Sequence, residues 1–281
     1  MLANITYDVF VAAPIPQSVI DLVPNGDKRM FSPLSTTLIS GERDAVLVDP
    51  PLTIDQTTAV GDWVEASGKR LTHIFVTHGH GDHWFGGPQL AARFGAQMLA
   101  SAGTIDQMKL NVSIRPAFWD ALFPGQIAVD TPVTAVVPDG NRFELEGNEL
   151  RIVEVGHSDT DDTSVLHAPA IDLVVAGDVI YNGVHQFLRE ATGDGIDQWR
   201  RAIDIVEALN PRYVVAGHKN EELDDDATRT IAETRQYLDV AQSLLAQHDS
   251  ALGFFDAMLE RFPDRLNAGA LWGGAVALYP R

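Results

Sequence analysis

The segment Thr77-His78-Gly79-His80-Gly81-Asp82-His83 packs three imidazoles and a carboxylate into residues 78–83. Both groups are ligands for divalent transition metals. The glycines between them let the backbone bend so that the side chains can converge. The chain holds 9 histidines in 281 residues, so a polar surface loop has little reason to gather three of them here. Four donors on one loop cannot complete two coordination shells, and the sequence offers more downstream. Gly156-His157, Gly177-Asp178 and Gly217-His218 each place a glycine and a donor after a short apolar run. There is no cysteine, which excludes thiolate ligands, disulfides and a cysteine nucleophile. A metal here must be held by histidine and carboxylate, a set that suits zinc, manganese or iron.

These donors are expected at the ends of strands, where loops present chemistry on a rigid scaffold. Leu71–Thr77 is β-rich and delivers the chain into His78. Leu150–Val155, Leu173–Ala176 and Tyr213–Ala216 do the same for His157, Asp178 and His218. Ser35–Ile39 and Ala45–Val48 flank Gly41-Glu42-Arg43-Asp44 and predict a hairpin, and Ser164–His167 predicts a further strand. Thr53 can cap a helix that runs to about Ser67 and is ended by Gly68. Helices are also expected from about Pro88 to Phe94, over Ile196–Leu209, and over most of Asp225–Gln247 and Ala251–Arg261. Thr104–Thr131 shows little periodicity. The acidic run Glu221–Asp226 falls where a helix N-terminus favours negative charge, and needs no functional role. Strands alternate with helices, hairpins are present, and no glycine-rich dinucleotide fingerprint follows the early strands. That pattern predicts a mixed α/β layered fold rather than a nucleotide-binding parallel sheet.

An apolar fraction of 45% and a charged fraction of 21% are those of a globular chain able to bury a full core. The N-terminus, Met1-Leu-Ala-Asn-Ile-Thr-Tyr-Asp-Val-Phe, lacks a basic region followed by an apolar one, and the expectation is a cytoplasmic protein. No apolar run approaches the roughly 18 residues that span a bilayer. The formal net charge of −19 repels phosphate backbones and argues against nucleic acid as substrate; a solubilising surface accounts for it otherwise.

The order His-x-His-x-Asp-His, then His, Asp and His, resembles the metallo-β-lactamase superfamily over about Pro33 to Lys219, with all seven positions filled. The resemblance implies an α+β fold, the four-layer αββα sandwich, in a single domain over 1–281 with C-terminal helices from about 225. It implies that His78, His80 and His157 bind a first metal, that Asp82, His83 and His218 bind a second, and that Asp178 bridges them. The implied cofactors are two divalent ions, zinc before manganese or iron, which together lower the pKa of a shared water. Asp82 would also orient that water.

Asp178-Val179-Ile180-Tyr181 is similar to the Asp-x-x-Tyr of N-acyl-homoserine lactonases. There the phenol of Tyr181 would donate to an oxyanion or protonate a leaving alkoxide; a tyrosine packed after a strand is the alternative. Ser158-Asp159-Thr160-Asp161-Asp162-Thr163 departs from that family's Thr-Pro-Gly-His. Ser158, Asp159 and Asp162 are placed to hydrogen-bond a ligand imidazole. His185 could reach the pocket as a proton donor or substrate contact, or remain at the surface or outside the ligand shell. Phe118, Trp119 and Phe123 could form a lid over an apolar substrate, a piece of core, or a homodimer contact. Pro14–Pro33 could edge the pocket. His73 and His167 are expected to be structural and His248 solvent-exposed.

The implied activity is hydrolysis of a small carboxylic ester or lactone, with a small-molecule substrate and neither nucleic acid nor membrane as partner. A glyoxalase II-like thioester hydrolase competes with it, although the C-terminal helices offer no basic cluster for a glutathione carboxylate. A mononuclear-iron dioxygenase of sulfur compounds needs only His78, His80 and His157. A sensing module would keep the metals and lose turnover.

Overall fold

A computed structural model describes residues 4–279; residues 1–3, part of the N-terminal stretch read above, and 280–281 lie outside the described residues. In the first half β1 (Thr6–Ala12), β2 (Leu34–Ser40), β3 (Asp44–Val48), β4 (Arg70–Phe75) and β5 (Gln97–Leu99) form one sheet in sequence order. Pairing is antiparallel for β1–β2 and β2–β3, then parallel for β3–β4 and β4–β5. Helices α1 (Ile54–Ala66), α2 (Gly87–Phe94), α3 (Ala102–Ile114) and α4 (Trp119–Leu122) belong to this half.

The second sheet has the order β10-β9-β8-β7-β6, from β6 (Arg142–Leu145), β7 (Asn148–Gly156), β8 (Thr163–Ala168), β9 (Leu173–Asn182) and β10 (Tyr213–Lys219). Only β9–β10 is parallel. With it go α5 (Gly195–Ala208), α6 (Ala227–Leu245), α7 (Ala251–Arg261) and α8 (Ala268–Leu278).

Alternation along the strands sorts the apolar residues into separate cores. Ile39, Val46, Val48 and Phe75 pack with Leu150, Ile152, Leu166 and Val175 between the sheets. Leu38, Leu47 and Ile74 pack with Val60 and Val64 of α1, Leu90 of α2 and Met108 of α3. Val174, Ala176 and Val214 pack with Trp199, Ile203, Leu238 and Phe255 on the far side. Helix, sheet, sheet, helix is the four-layer α+β sandwich that the sequence predicts. Among the described residues no helix is long and apolar enough to cross a membrane.

The predicted β2–β3 hairpin forms, and Thr53 caps α1 through a reciprocal capping box with Gln56. Two differences matter for the site. The sequence predicts that β9 stops before Asp178 and β10 before His218, yet both strands continue through them. The ladder breaks register there, between Val215 and His218, with Gly177 at φ +49. That kink turns the donor side chains without ending the strand. Helix α3 starts just before the stretch of little periodicity and runs into it, and being apolar on two sides it shows no single stripe. Met108 enters the core while Leu110 and Ile114 line a cavity.

Candidate metal centre

The chain crosses from β4 into a single 3-10 turn, Gly81–His83, and the end of β7, the kinked middle of β9 and the end of β10 converge on it. Close approach of these strands depends on two positions that lack a side chain. A Cβ on Gly177 would lie 2.3 Å from Thr77 Oγ1, and one on Gly217 would lie 2.2 Å from Asp178 Oδ1.

Six of the seven expected ligands come together. His83 Nε2 lies 3.2 Å from Asp82 Oδ2 and 3.3 Å from Asp178 Oδ1. His218 Nε2 lies 3.3 Å from Asp82 Oδ2 and from Asp178 Oδ2. The donor atoms fall into three compact groups: His78, His80 and Asp159; His78, His83 and Asp178; and Asp82, His83 and His218. Asp178 thus shares a group with one histidine from each expected ligand set. His157 joins none of them. Its Nδ1 is 2.7 Å from Asp161 Oδ1, and Asp159 occupies the place beside His78 and His80.

Hydrogen bonds on the far side of each ring set which nitrogen faces the site. Thr77 Oγ1 donates to Asp49 Oδ2 at 2.8 Å and therefore accepts from His78 Nδ1 at 3.0 Å. His83 Nδ1 donates to Asp49 Oδ2 at 3.0 Å, and His218 Nδ1 donates to Pro33 O at 2.9 Å. His80 is turned the other way, with Nε2 donating to Glu190 Oε1 at 3.1 Å. Once the protons held there by the carboxylates are displaced, each ring therefore aims a lone pair inward. His78 Nε2, His83 Nε2, Asp178 Oδ1 and Asp159 Oδ2 are buried with no hydrogen-bond partner, which is the arrangement a cation would satisfy. The residues fit a pair of divalent ions.

Electrostatics point the same way. Burial opposes a charge on His218, but Asp178 and Asp82 outweigh it and raise its pKa to about 10. Burial likewise opposes protonation of His83, and Asp82, Asp178 and Asp49 hold it well above the ordinary imidazole range. His78 is pushed well below that range by burial and by the neighbouring His83. Burial would raise Asp178, yet His218 and His83 keep it below the usual carboxylate range. Crowded carboxylates call for positive charge, supplied by protons until a cation displaces them.

Sequence reasoning misses two residues that hold this shell. Asp49 follows β3 with φ +55 and accepts from Thr77 N, Thr77 Oγ1 and His83 Nδ1. An acidic residue at the end of a strand next to β4 is a weak signal that could point to it. Glu190 reaches both His80 Nε2 and, at 2.8 Å, Thr160 Oγ1, and no sequence pattern marks it. An amide at position 49 would set its NH2 against a donor in either orientation, Thr77 N in one and Thr77 Oγ1 with His83 Nδ1 in the other. Asp49→Asn is expected to weaken metal binding about 10- to 100-fold by chelator competition. Unchanged affinity would remove Asp49 from the ligand support.

Above these donors opens a cavity of about 600 Å3. His80, Asp82, Asp178, Tyr181 and His218 are at its floor, and Leu110, Ile114, Phe118, Trp119 and Leu122 form an apolar wall. Trp119 and Phe123 are buried in the core, and Phe118 packs edge-on to Trp119. These aromatics are wall and core rather than a lid. Gln17, Asp21, Arg29 and Phe31 line the cavity, so Pro14–Pro33 does edge it.

Tyr181 donates to Asp178 Oδ2 at 2.6 Å. His185 is fully buried, does not line the cavity, and pairs through Nδ1 with Tyr237 Oη at 3.0 Å, against the expectation of a proton donor or substrate contact. Burial and then the charge of Arg265 lower its pKa from 6.5 to about 3. Between those values the unfolded chain takes up the proton and the folded chain does not, so stability falls as pH falls through that window. The expected loss is about 2 to 3 kcal/mol between pH 7 and 4.5 in chelated protein. Urea unfolding of His185→Gln should show a correspondingly shallower dependence, and an unchanged slope would refute it.

A model of the metallo-beta-lactamase superfamily matches residues 30–218. The metallo-beta-lactamase type 2 of Bacteroides fragilis is 25% identical over 209 residues, covering 73% of this chain and 74% of that protein. A hydroxyacylglutathione hydrolase of Rhizobium meliloti (strain 1021) is 25% identical over 159 residues, covering 56% of this chain and 52% of that protein. Among solved structures, a metallo-beta-lactamase from Pontibacter korlensis aligns with a TM-score of 0.59 at 18% identity, over 85% of this chain and 98% of its own. A metallo-beta-lactamase family protein from Thermus thermophilus aligns with a TM-score of 0.61 at 18% identity, over 96% and 92%. At that identity the solved structures speak to the fold.

Proposed function

The chain belongs to the metallo-β-lactamase superfamily of metal-dependent hydrolases, and from that premise we propose that it cleaves small carboxylic esters or lactones. The observation that carries this reading is the phenol of Tyr181 at the cavity floor, 2.6 Å from Asp178 Oδ2. Burial and the charges of Asp178 and Asp159 keep that phenol protonated. Esters and lactones leave as alkoxides, which need a proton to depart, whereas a thioester leaves as a far less basic thiolate. A protonated phenol at the floor is therefore of most use to an alcohol leaving group.

His78, His80, Asp82, His83, Asp178 and His218, with a further donor from residues 157–159, would hold two ions, for which zinc is the assignment. Such ions polarise a carbonyl oxygen and acidify water. The chain's own residues do the rest. The wall from Leu110 to Leu122 excludes water and takes an acyl chain, in a volume within the roughly 300–1,000 Å3 of small-molecule pockets. Glu190 fixes the His80 ring, and Asp49 fixes His83. Asp82, at 3.2 to 3.3 Å from two imidazoles, can orient the attacking water as well as serve as a ligand.

A thioester substrate is the second reading, favoured by the similarity to a hydroxyacylglutathione hydrolase. Arg189 at the cavity would then receive a carboxylate, since Arg29 there is already paired with Asp21. A single-iron oxygenase gives no role to the group of Asp82, His83 and His218.

The test is initial rates of zinc- and manganese-loaded protein. The substrates are short and long acyl lactones, alkyl and aryl esters, a glutathione thioester, a β-lactam and a phosphodiester. The highest kcat/KM is expected on a lactone or carboxylic ester. A clear preference for the thioester, the β-lactam or the phosphodiester would overturn the reading.

A further inference from the structure

The geometry points to Asp159, in place of His157, as the third ligand of the first metal ion. The inference rests on the reading of a two-metal hydrolase and concerns which side chains build it. Asp159 is fully buried, and its Oδ2 lies 2.9 Å from His80 Nδ1 and 3.9 Å from His78 Nε2. The approach to His80 Nδ1 is an ion pair rather than a well-aligned hydrogen bond, and no well-aligned donor reaches Oδ2. An ionised oxygen in that position is destabilised unless positive charge reaches it. Glu190 accepts from the other nitrogen of His80, so Nδ1 is the atom turned toward Asp159 and presents a lone pair there once a cation displaces its proton.

The turn that carries Asp159 is built to hold it there. Ser158 Oγ shares its proton between Thr163 Oγ1 at 3.0 Å and Asp159 Oδ1 at 3.2 Å, and Ser158 N donates to Thr160 O at 2.9 Å. Thr160 Oγ1 is held by the same Glu190 that orients His80. One carboxylate thus fixes both the ring and the turn that faces it.

His157 is held the other way. Asp161 binds its Nδ1, and its Nε2 lies 3.1 Å from the point a Cβ on Gly195 would occupy, at the start of α5. That Nε2 is also buried without a partner, so burial does not choose between the two side chains. Direction does. The oxygen of Asp159 shares a group with the donor atoms of His78 and His80, and the nitrogen of His157 belongs to none.

Metal content decides it, with no reference to turnover. Chelated wild type, His157→Ala and Asp159→Asn are reloaded with zinc, desalted, and analysed for ions per chain by plasma mass spectrometry. Affinity is measured by competition with a chromophoric chelator. Wild type and His157→Ala should each retain two ions, and Asp159→Asn should retain one, or bind the second at least about tenfold more weakly. Loss of an ion in His157→Ala overturns the assignment, as does full retention with unchanged affinity in Asp159→Asn. If Asp159→Asn does not fold, His157→Ala decides alone: two ions retained support the exchange and one lost refutes it. A wild type that takes up no metal would sink the two-metal hydrolase itself, an outcome distinct from a two-ion wild type whose His157→Ala variant loses one.

Discussion

Asp178→Asn should lower kcat about a thousandfold or more on the best substrate, the largest single effect expected in this chain. The reason is charge and position together. Asp178 is buried, with Oδ1 3.3 Å from His83 and Oδ2 3.3 Å from His218 and 2.6 Å from the Tyr181 hydroxyl. An amide keeps the size and loses the charge, and its NH2 must oppose either a ring nitrogen meant for a cation or the phenol's proton. A thousandfold is about 4 kcal/mol of transition-state stabilisation. Ions per chain, measured on the same preparation, separate a lost metal from a metal held but misplaced. Turnover near wild type would refute a role for Asp178 at the reacting centre.

The ligand pattern was legible in the sequence because metal ligation demands particular residue types, and strand ends put them at recognisable places. His78 to His83 advertise themselves by density, and Asp178 and His218 by the glycines whose missing Cβ atoms allow close approach. The layered fold was legible for a related reason, since apolar alternation in the strands forces two covered sheets. The choice between His157 and Asp159 was not legible. Both lie on one turn after β7, and only the hydrogen bonds of Asp161, Ser158 and Glu190 decide which faces inward.

Asp49 and Glu190 were hidden because their work is done across long stretches of sequence, 34 residues to His83 and 110 to His80. Periodicity failed where an element serves two environments. Helix α3 is apolar toward the core through Met108 and toward the cavity through Leu110 and Ile114, which blurs the stripe a surface helix would show. Helix α8 was masked by Gly273 and Gly274, poor helix formers. A Cβ on Gly274 would lie 3.0 Å from Leu188 Cβ, so the glycine there serves close packing.

Tyr181→Phe is expected to lower kcat about a hundredfold on alkyl esters and lactones, and by much less on aryl esters and thioesters. The phenol has a single proton, now donated to Asp178 Oδ2. Its pKa lies well above 10, through burial first and then the charges of Asp178 and Asp159, so it stays protonated at neutral pH. A departing alkoxide is strongly basic and can draw the proton away; a phenolate or thiolate leaving group gains little from it. Loss of the hydroxyl also frees Asp178 from one hydrogen bond, and that effect must reach every substrate alike. The ratio of alkyl to aryl ester turnover therefore separates the two roles without comparing absolute rates. A larger fall on the alkyl ester assigns Tyr181 to the leaving group and strengthens the ester and lactone reading. Equal falls would make it a positioning residue for Asp178 and reopen the thioester.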